Sequence, residues 1–277
     1  VTPFRHAPAP RLATARTVAI DAGTLALFQG CPRRFRLRHL LGVEEPAPAA
    51  QLGLFDLEGP PEVPGEERAE LAEGADPRPP GRAAHRVLSR WPGERWGAAV
   101  KVGEVLERLA AEGLGPEHPE AMRLGQGIAR FLDGPYARRA RAEGAAILGD
   151  EAFTLGVEPA IVGQKQGARL SVRWAIDLVV DFPDGTVDVI ELRRARPRAD
   201  LGPYELVLRV DALALHRRLP DRPIRAGVLF LGANLEPSWL TAQGERGAIS
   251  AEEHARFEQG LGWLAQRFAE ARGGERW

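Results

Sequence analysis

Residues 169–196 read RLSVRWAIDLVVDFPDGTVDVIELRRAR, and two apolar runs in it, Arg169–Asp181 and Thr186–Arg193, carry acids where core is expected. Both runs are rich in Val, Ile and Leu, and Pro183-Asp184-Gly185 between them is turn sequence, so the reading is two antiparallel strands. If Phe182 faces Thr186 across that three-residue loop, counting back along each strand sets Asp177 opposite Glu191. Directly opposed Cβ atoms lie about 4.5–5.5 Å apart. Two carboxylates so close, on the side that also carries Val179, Val187 and Val189, repel each other and are poorly solvated unless positive charge lies between them. A divalent cation would supply it.

Helical and strand patterns extend from this hairpin in both directions. Residues 24–41 place Leu27, Phe28, Phe35, Leu37 and Leu41 at mostly helical spacing, with Thr24 as the expected N-cap and Pro32 as a break before a basic helix. From Val43 to Pro80 the chain is rich in Pro, Glu and Gly without periodicity, which predicts a mobile insertion. The segments 81–91, 98–112 and 117–142 predict helices, and 147–157 has the alternation of a strand. Beyond the hairpin, Pro203 opens a helix to about Arg218, residues 226–232 form a short buried strand, and Ser250 caps a closing amphipathic helix through Phe268. The order predicts an α/β fold: a central mixed β-sheet flanked by helices, with an N-terminal helical portion. The expected organisation is a tail over 1–23 and a single domain over 24–277, with the core sheet at 147–232 and the closing helix at 250–272.

Composition narrows the class. The chain has 277 residues, 44% hydrophobic and 27% charged, with a formal net charge of −1, which is ordinary for a soluble globular protein. Of 37 basic residues only Lys101 and Lys165 are lysines, leaving 35 arginines. Arginine suits bidentate phosphate contact, yet with 31 Gly and 23 Pro the bias also fits genome composition. One cysteine, Cys31, excludes an internal disulfide framework, and no apolar run approaches a membrane span or signal peptide. A cytoplasmic protein is expected.

Four motifs in order resemble the PD-(D/E)XK nuclease superfamily, in particular the RecB/AddA-type domain at the C-terminus of recombinational helicase-nucleases. CPRRFRLRHLLG resembles that family's opening CPR-aromatic helix, and GRAAHRVL its Gly-x-x-x-His helix, which implies His85 as a metal ligand. DEAFTL is similar to the first acidic strand, with Glu151, and the hairpin to the G-x-x-D, turn, D/E-x-K core, which implies Asp177 and Glu191 as ligands. The resemblance thus implies a restriction-endonuclease-like core and a Mg2+- or Mn2+-dependent deoxyribonuclease acting on DNA ends or single strands, nucleoid-associated, in complex with a helicase segment or subunit. No GxxxxGK[ST] loop occurs, so a helicase motor would lie elsewhere. Four positions depart from the family pattern: Arg193 stands for its lysine, Trp174 for the small Gly before the Asp, and Val207 and Asp211 for a Gln-x-x-x-Tyr signature.

These departures bear on chemistry. In such sites a metal ion held by His and two carboxylates polarises a phosphoryl oxygen and activates a water. Strand alternation puts position 193 on the face of Glu191, and Trp174 on the face opposite Asp177. Arginine at 193 can stabilise developing negative charge but cannot readily take a proton. Two readings remain open, an exonuclease with impaired activity and a catalytically inactive domain that guides DNA or braces a helicase complex. Outside this context His85 reads as a packed or surface histidine, Glu191 as an exposed edge residue paired with Arg193, and Glu151 as solvated. Arg33, Arg34, Arg194 and Arg196 are either solvated faces or a path for a DNA backbone. Iron-sulfur relatives use a cysteine in the CP motif as one of four ligands; with no second cysteine a cluster is excluded and Cys31 is expected to be a packed thiol. Within the insertion, Gln51, Leu52, Leu54 and Phe55 resemble the peptide by which bacterial DNA enzymes dock on a sliding clamp; a loop folded back on the domain is the other reading.

Overall fold

A computed structural model describes residues 18–35, 80–157, 170–194, 200–231, 235–240 and 247–272. The elements in chain order are β1 (Val18–Ile20), α1 (Ala22–Gly30), α2 (Pro32–Phe35), α3 (Pro80–Ser89), α4 (Val102–Ala111), α5 (Ala121–Leu132), α6 (Pro135–Ala142), β2 (Ala146–Val157), β3 (Leu170–Asp181), β4 (Val187–Arg193), α7 (Gly202–Arg218), β5 (Ile224–Phe230), β6 (Ser238–Trp239) and α8 (Ala251–Arg272). The strands form one six-stranded mixed sheet in the order β1-β3-β4-β5-β6, with β2 also on β3. Helices α1, α2, α7 and α8 pack one face around Phe28, Tyr204, Val207 and Phe268. Helices α3 to α6 pack the other around Trp96, Leu109, Ile128 and Phe131. The α/β expectation, a sheet between helices, holds.

The hairpin has the register expected from its turn. Val179 pairs with Val189 and Leu178 with Ile190, while the Phe182 N–H donates to Thr186 O at 2.9 Å. Gly185 takes φ +94°, a left-handed conformation open to glycine without steric cost, and the Thr186 N–H donates to Asp184 at 2.8 Å. All seven positions of β4 are buried, as expected of an inner strand with helices on both faces.

Several local expectations need correction. The α1 cap is Asp21, whose carboxylate accepts the Thr24 N–H at 2.7 Å; Thr24 is the third helical residue, where a backbone N–H still lacks an intrahelical partner. Residues 18–20, expected in a tail, form β1, in parallel register with Leu170–Val172; three residues are too few to show a period. Gly134 and Pro135 divide the expected 117–142 helix into α5 and α6. Cys31, expected to be packed, is exposed, since it ends α1 in an extended conformation. Phe35 is the residue that carries the motif inward, meeting Phe28 and Phe268 at 5.5 and 5.3 Å between ring centroids. The 43–80 insertion lies outside the described residues apart from Pro80, which begins α3. No helix among the described residues is long and apolar enough to cross a membrane.

The closing helix α8 begins with a capping box. Ser250 Oγ accepts the Glu253 N–H at 3.2 Å, and Glu253 Oε2 accepts the Ser250 N–H at 2.9 Å. One turn on, His254 stacks on His216 of α7 with centroids 4.3 Å apart and planes at 4°. Burial, reinforced by His216, pushes the His254 imidazole down to about 4 from its ordinary value near 6.5. The native state therefore refuses a proton that the unfolded chain accepts, so stability is full above pH 6.5 and is lost as pH falls toward 4. Urea denaturation at pH 7.5 and pH 5 is expected to show a loss of about 1–2 kcal/mol, which His254→Phe removes; an unchanged acid loss in that variant would assign it to other groups.

Candidate active site

The site is set by how β3 divides its neighbours. β2 pairs along one edge from Leu170 to Asp181. The other edge is shared: β1 takes Leu170–Val172 and β4 takes Leu178–Asp181. Residues 173–177 of that edge lie between the two. At the upper end of this interval the β4 backbone moves away from β3, and the Leu192 N–H donates at 2.8 Å to Asp177 Oδ2. A side-chain carboxylate thus satisfies a buried backbone donor that would otherwise be left unpaired.

Across β2 the register brings Asp150 level with Asp177, between the pairs Gly149–Leu178 and Glu151–Ile176. Asp150 has φ +56°, a region that Asp enters more readily than most residues. The alternation of β3 changes there as well. Val172 and Ile176 belong to the core under α7, as does odd-numbered Val179, whereas Leu178 belongs to the opposite core. Strict alternation would keep Ile176 and Leu178 on one face. Trp174, expected on the face opposite Asp177, accordingly packs in the α7 layer with Val179 and Val189.

His85 reaches this point from α3. Ala84, Val87 and Leu88 bury the helix against the second core, which leaves His85 and Ser89, four residues apart on one face, directed at Asp150. His85 Nδ1 lies 3.3 Å from Asp150 Oδ1 and Nε2 lies 2.6 Å from Asp177 Oδ1. Ser89 Oγ donates to Asp150 Oδ2 at 2.9 Å. Carboxylate on one ring nitrogen and site on the other is the arrangement that orients a ligating imidazole. Asp150, not the adjacent Glu151, is the β2 carboxylate at His85. Its signal in the sequence is the Gly149-Asp150 pair inside a strand pattern, since glycine there marks a close approach of backbone.

Glu191 and Arg193 project together from β4, as alternation requires. Arg193 Nη2 lies 2.8 Å from Glu191 Oε2, and Nη1 lies 4.0 Å from Asp177 Oδ2. Nη1 also donates to Leu192 O at 3.0 Å, and the guanidinium lies 5.6 Å from the Tyr204 ring centroid. Asp177, Glu191 and Arg193 are 4%, 0% and 5% exposed. The Glu191–Arg193 pair is therefore a buried one, not an exposed edge contact.

Trp174 and Asp211, both singled out in the sequence reading, are partners: the indole N–H donates to Asp211 Oδ1. Asp211 is wholly buried, so this bond offsets part of the cost of burying its carboxylate. Val207, on the buried face of α7, belongs to the core that this helix covers. Among the arginines read as a DNA path, Arg194 pairs with Glu120 at 2.8 Å. Arg33 and Arg34 fall in α2, with their side chains outside the described set, and Arg196 lies outside the described residues, as do Gln51, Leu52, Leu54 and Phe55.

Residues 21–276 match the PD-(D/E)XK nuclease superfamily, and the chain belongs to it. Membership defines a nuclease-type domain, of a class that typically uses divalent metal ions and acts on nucleic acid. No curated protein matches the chain.

One imidazole nitrogen and two carboxylates are donors of the right kind for Mg2+ or Mn2+. Their grouping is constrained, however. Among the described residues no three His, Cys, Asp or Glu side chains stand together as a metal-holding cluster. Asp177 is shared by His85, Leu192 and Arg193, and Glu191 is taken by Arg193.

The approach of α3 to β2 depends on Gly149. A Cβ there would meet Ser89 O at 2.3 Å and Ser89 Cα at 2.4 Å, both backbone atoms that cannot rotate away. Gly149→Ala is expected to push α3 off the sheet and cost about 1–3 kcal/mol by denaturant unfolding, with His85 drawn away from Asp177. Gly144→Ala gives the comparison, since nothing lies within 4 Å of its Cβ position and its φ of +72° leaves only backbone strain.

Proposed function

We propose that this chain is the nuclease-type domain of a recombinational-repair helicase-nuclease, acting on DNA ends as a metal-dependent exonuclease with strongly reduced cleavage. The observation that supports this best is the contact of His85 with Asp177 where β3 and β4 separate, with Glu191 on the adjacent strand held by Arg193, which stands in the place of the family's lysine. His85, Asp177 and Glu191 are the residues that would hold Mg2+ or Mn2+, which when bound polarises a phosphoryl oxygen and lowers the pKa of a water. The rest of the chemistry belongs to the protein. Asp150 and Ser89 orient His85. Arg193 can stabilise negative charge developing on a phosphoryl oxygen, but a guanidinium stays protonated and cannot act as a general base. Losing a group that orients or deprotonates water costs about 10²–10⁴-fold in rate.

The second reading, a non-cleaving domain that guides DNA or braces a helicase, is favoured by the same residue. Arg193 is buried against Glu191 rather than held toward a substrate. A partner helicase and clamp docking through Gln51, Leu52, Leu54 and Phe55 belong to this proposal as well, as does a place at the nucleoid.

The two readings separate in one assay, with linear double- and single-stranded DNA and 5 mM MgCl2 or about 1 mM MnCl2 at ordinary assay conditions. Slow cleavage by the native protein, raised about 10²-fold or more by Arg193→Lys and abolished by Asp177→Ala, is the expected outcome. DNA binding with no cleavage in any variant selects the guiding domain. Neither cleavage nor binding in any variant defeats both.

A further inference from the structure

Asp177 and Glu191 are buried acids on neighbouring strands, and buried charges persist only when compensated. The compensating group belongs to the chain itself. The Arg193 guanidinium touches Glu191 at 2.8 Å, stands 4.0 Å from Asp177, and is anchored by Leu192 O and the Tyr204 ring. These contacts come from β3, β4 and α7, so the arginine is held in place rather than left to swing. We infer that Arg193 is a built-in counter-ion for the carboxylate pair, and that it competes with a divalent cation for Asp177 and Glu191. The inference rests on the site reading above and adds its regulation: a metal ion enters only as the guanidinium withdraws.

The physical reason is that both cations seek the same oxygens. An ion within coordination reach of both carboxylates would sit a few ångströms from a fixed positive charge in a poorly hydrated place, where repulsion is screened least. A lysine would resist less. Its ammonium is a single point on a flexible stem, and it loses its proton readily when buried, whereas guanidinium is always charged and grips with a fork of donors. A substitution of one base for another therefore changes the site from one that tolerates an adjacent ion to one that has its cation already.

The test reads metal binding without DNA. Thermal unfolding and Mn2+ titration calorimetry are run on the native protein, Arg193→Gln, Arg193→Lys, and Arg193→Gln combined with Asp177→Asn. The native midpoint is expected to stay constant as MnCl2 rises to about 1 mM, at which a site of micromolar affinity would be strongly stabilised. Arg193→Gln is expected to melt lower without metal and to recover with Mn2+, binding about tenfold or more tighter than the native protein. Adding Asp177→Asn should remove that response. A native midpoint that climbs with Mn2+ and ceases to do so in Asp177→Asn overturns the inference, as does an Arg193→Gln protein indifferent to Mn2+. If Arg193→Gln does not fold in either condition, the native titration decides alone, with Arg193→Lys showing whether a weaker grip admits the ion. A Mn2+ response in Arg193→Gln beside a failed DNA assay would reject the nuclease reading and leave the counter-ion standing.

Discussion

β3 gives one edge wholly to β2 and divides the other between β1 and β4, and the site lies in the interval this division leaves. A strand that changes neighbours must leave backbone groups without ladder partners, and buried groups of that kind have to be satisfied some other way. Asp177 does this at the point of separation, accepting the Leu192 N–H. Its second oxygen is thereby directed at His85. The structural duty of the carboxylate and its chemical position have the same origin.

Charge is the second constraint. β4 is buried throughout yet carries Asp188 and Glu191 with Arg193, and its two faces handle their acids differently. On the α6 side Asp188 accepts from Tyr136 at 2.7 Å and from Arg225 at 2.5 Å, residues of other elements. Burial raises the Asp188 carboxyl against the opposing pull of Arg225, and burial followed by the nearby Asp188 charge pushes the Tyr136 phenol well above its ordinary value. That network ties α6 to β4 and β5 of the sheet. On the α7 side Glu191 is neutralised by the residue two positions along its own strand. A partner so local needs no other element to bring it, which is why a single residue type at 193 decides how the site meets a cation.

Side chains beside the site are also coupled through space. Trp174 and Asp211 stand 37 residues apart on β3 and α7 and share a hydrogen bond. The indole ring packs on Phe153 of β2 with centroids 4.0 Å apart. Strand β2, strand β3 and helix α7 are thus joined by side chains, and the bulk of Trp174 is absorbed in the α7 layer.

The turn Pro183-Asp184-Gly185 was legible because turn geometry is local: it sets the hairpin register, and register alone places Asp177 level with Glu191. Apolar periodicity likewise revealed the sheet between helices, and the motif at His85 lay on the helix its pattern indicates. Asp150 was not legible, because its left-handed backbone and its contact with His85 depend on how closely α3 approaches Gly149. Nor was the face on which Trp174 lies, since the alternation of β3 changes between Ile176 and Leu178. The sequence by itself determined which residue types stand at the site and on which elements, through patterns of short range. Only the tertiary structure decided which carboxylate orients His85 and that the Glu191–Arg193 pair is buried, because burial and the meeting of separate elements set the cost of leaving a charge unpaired.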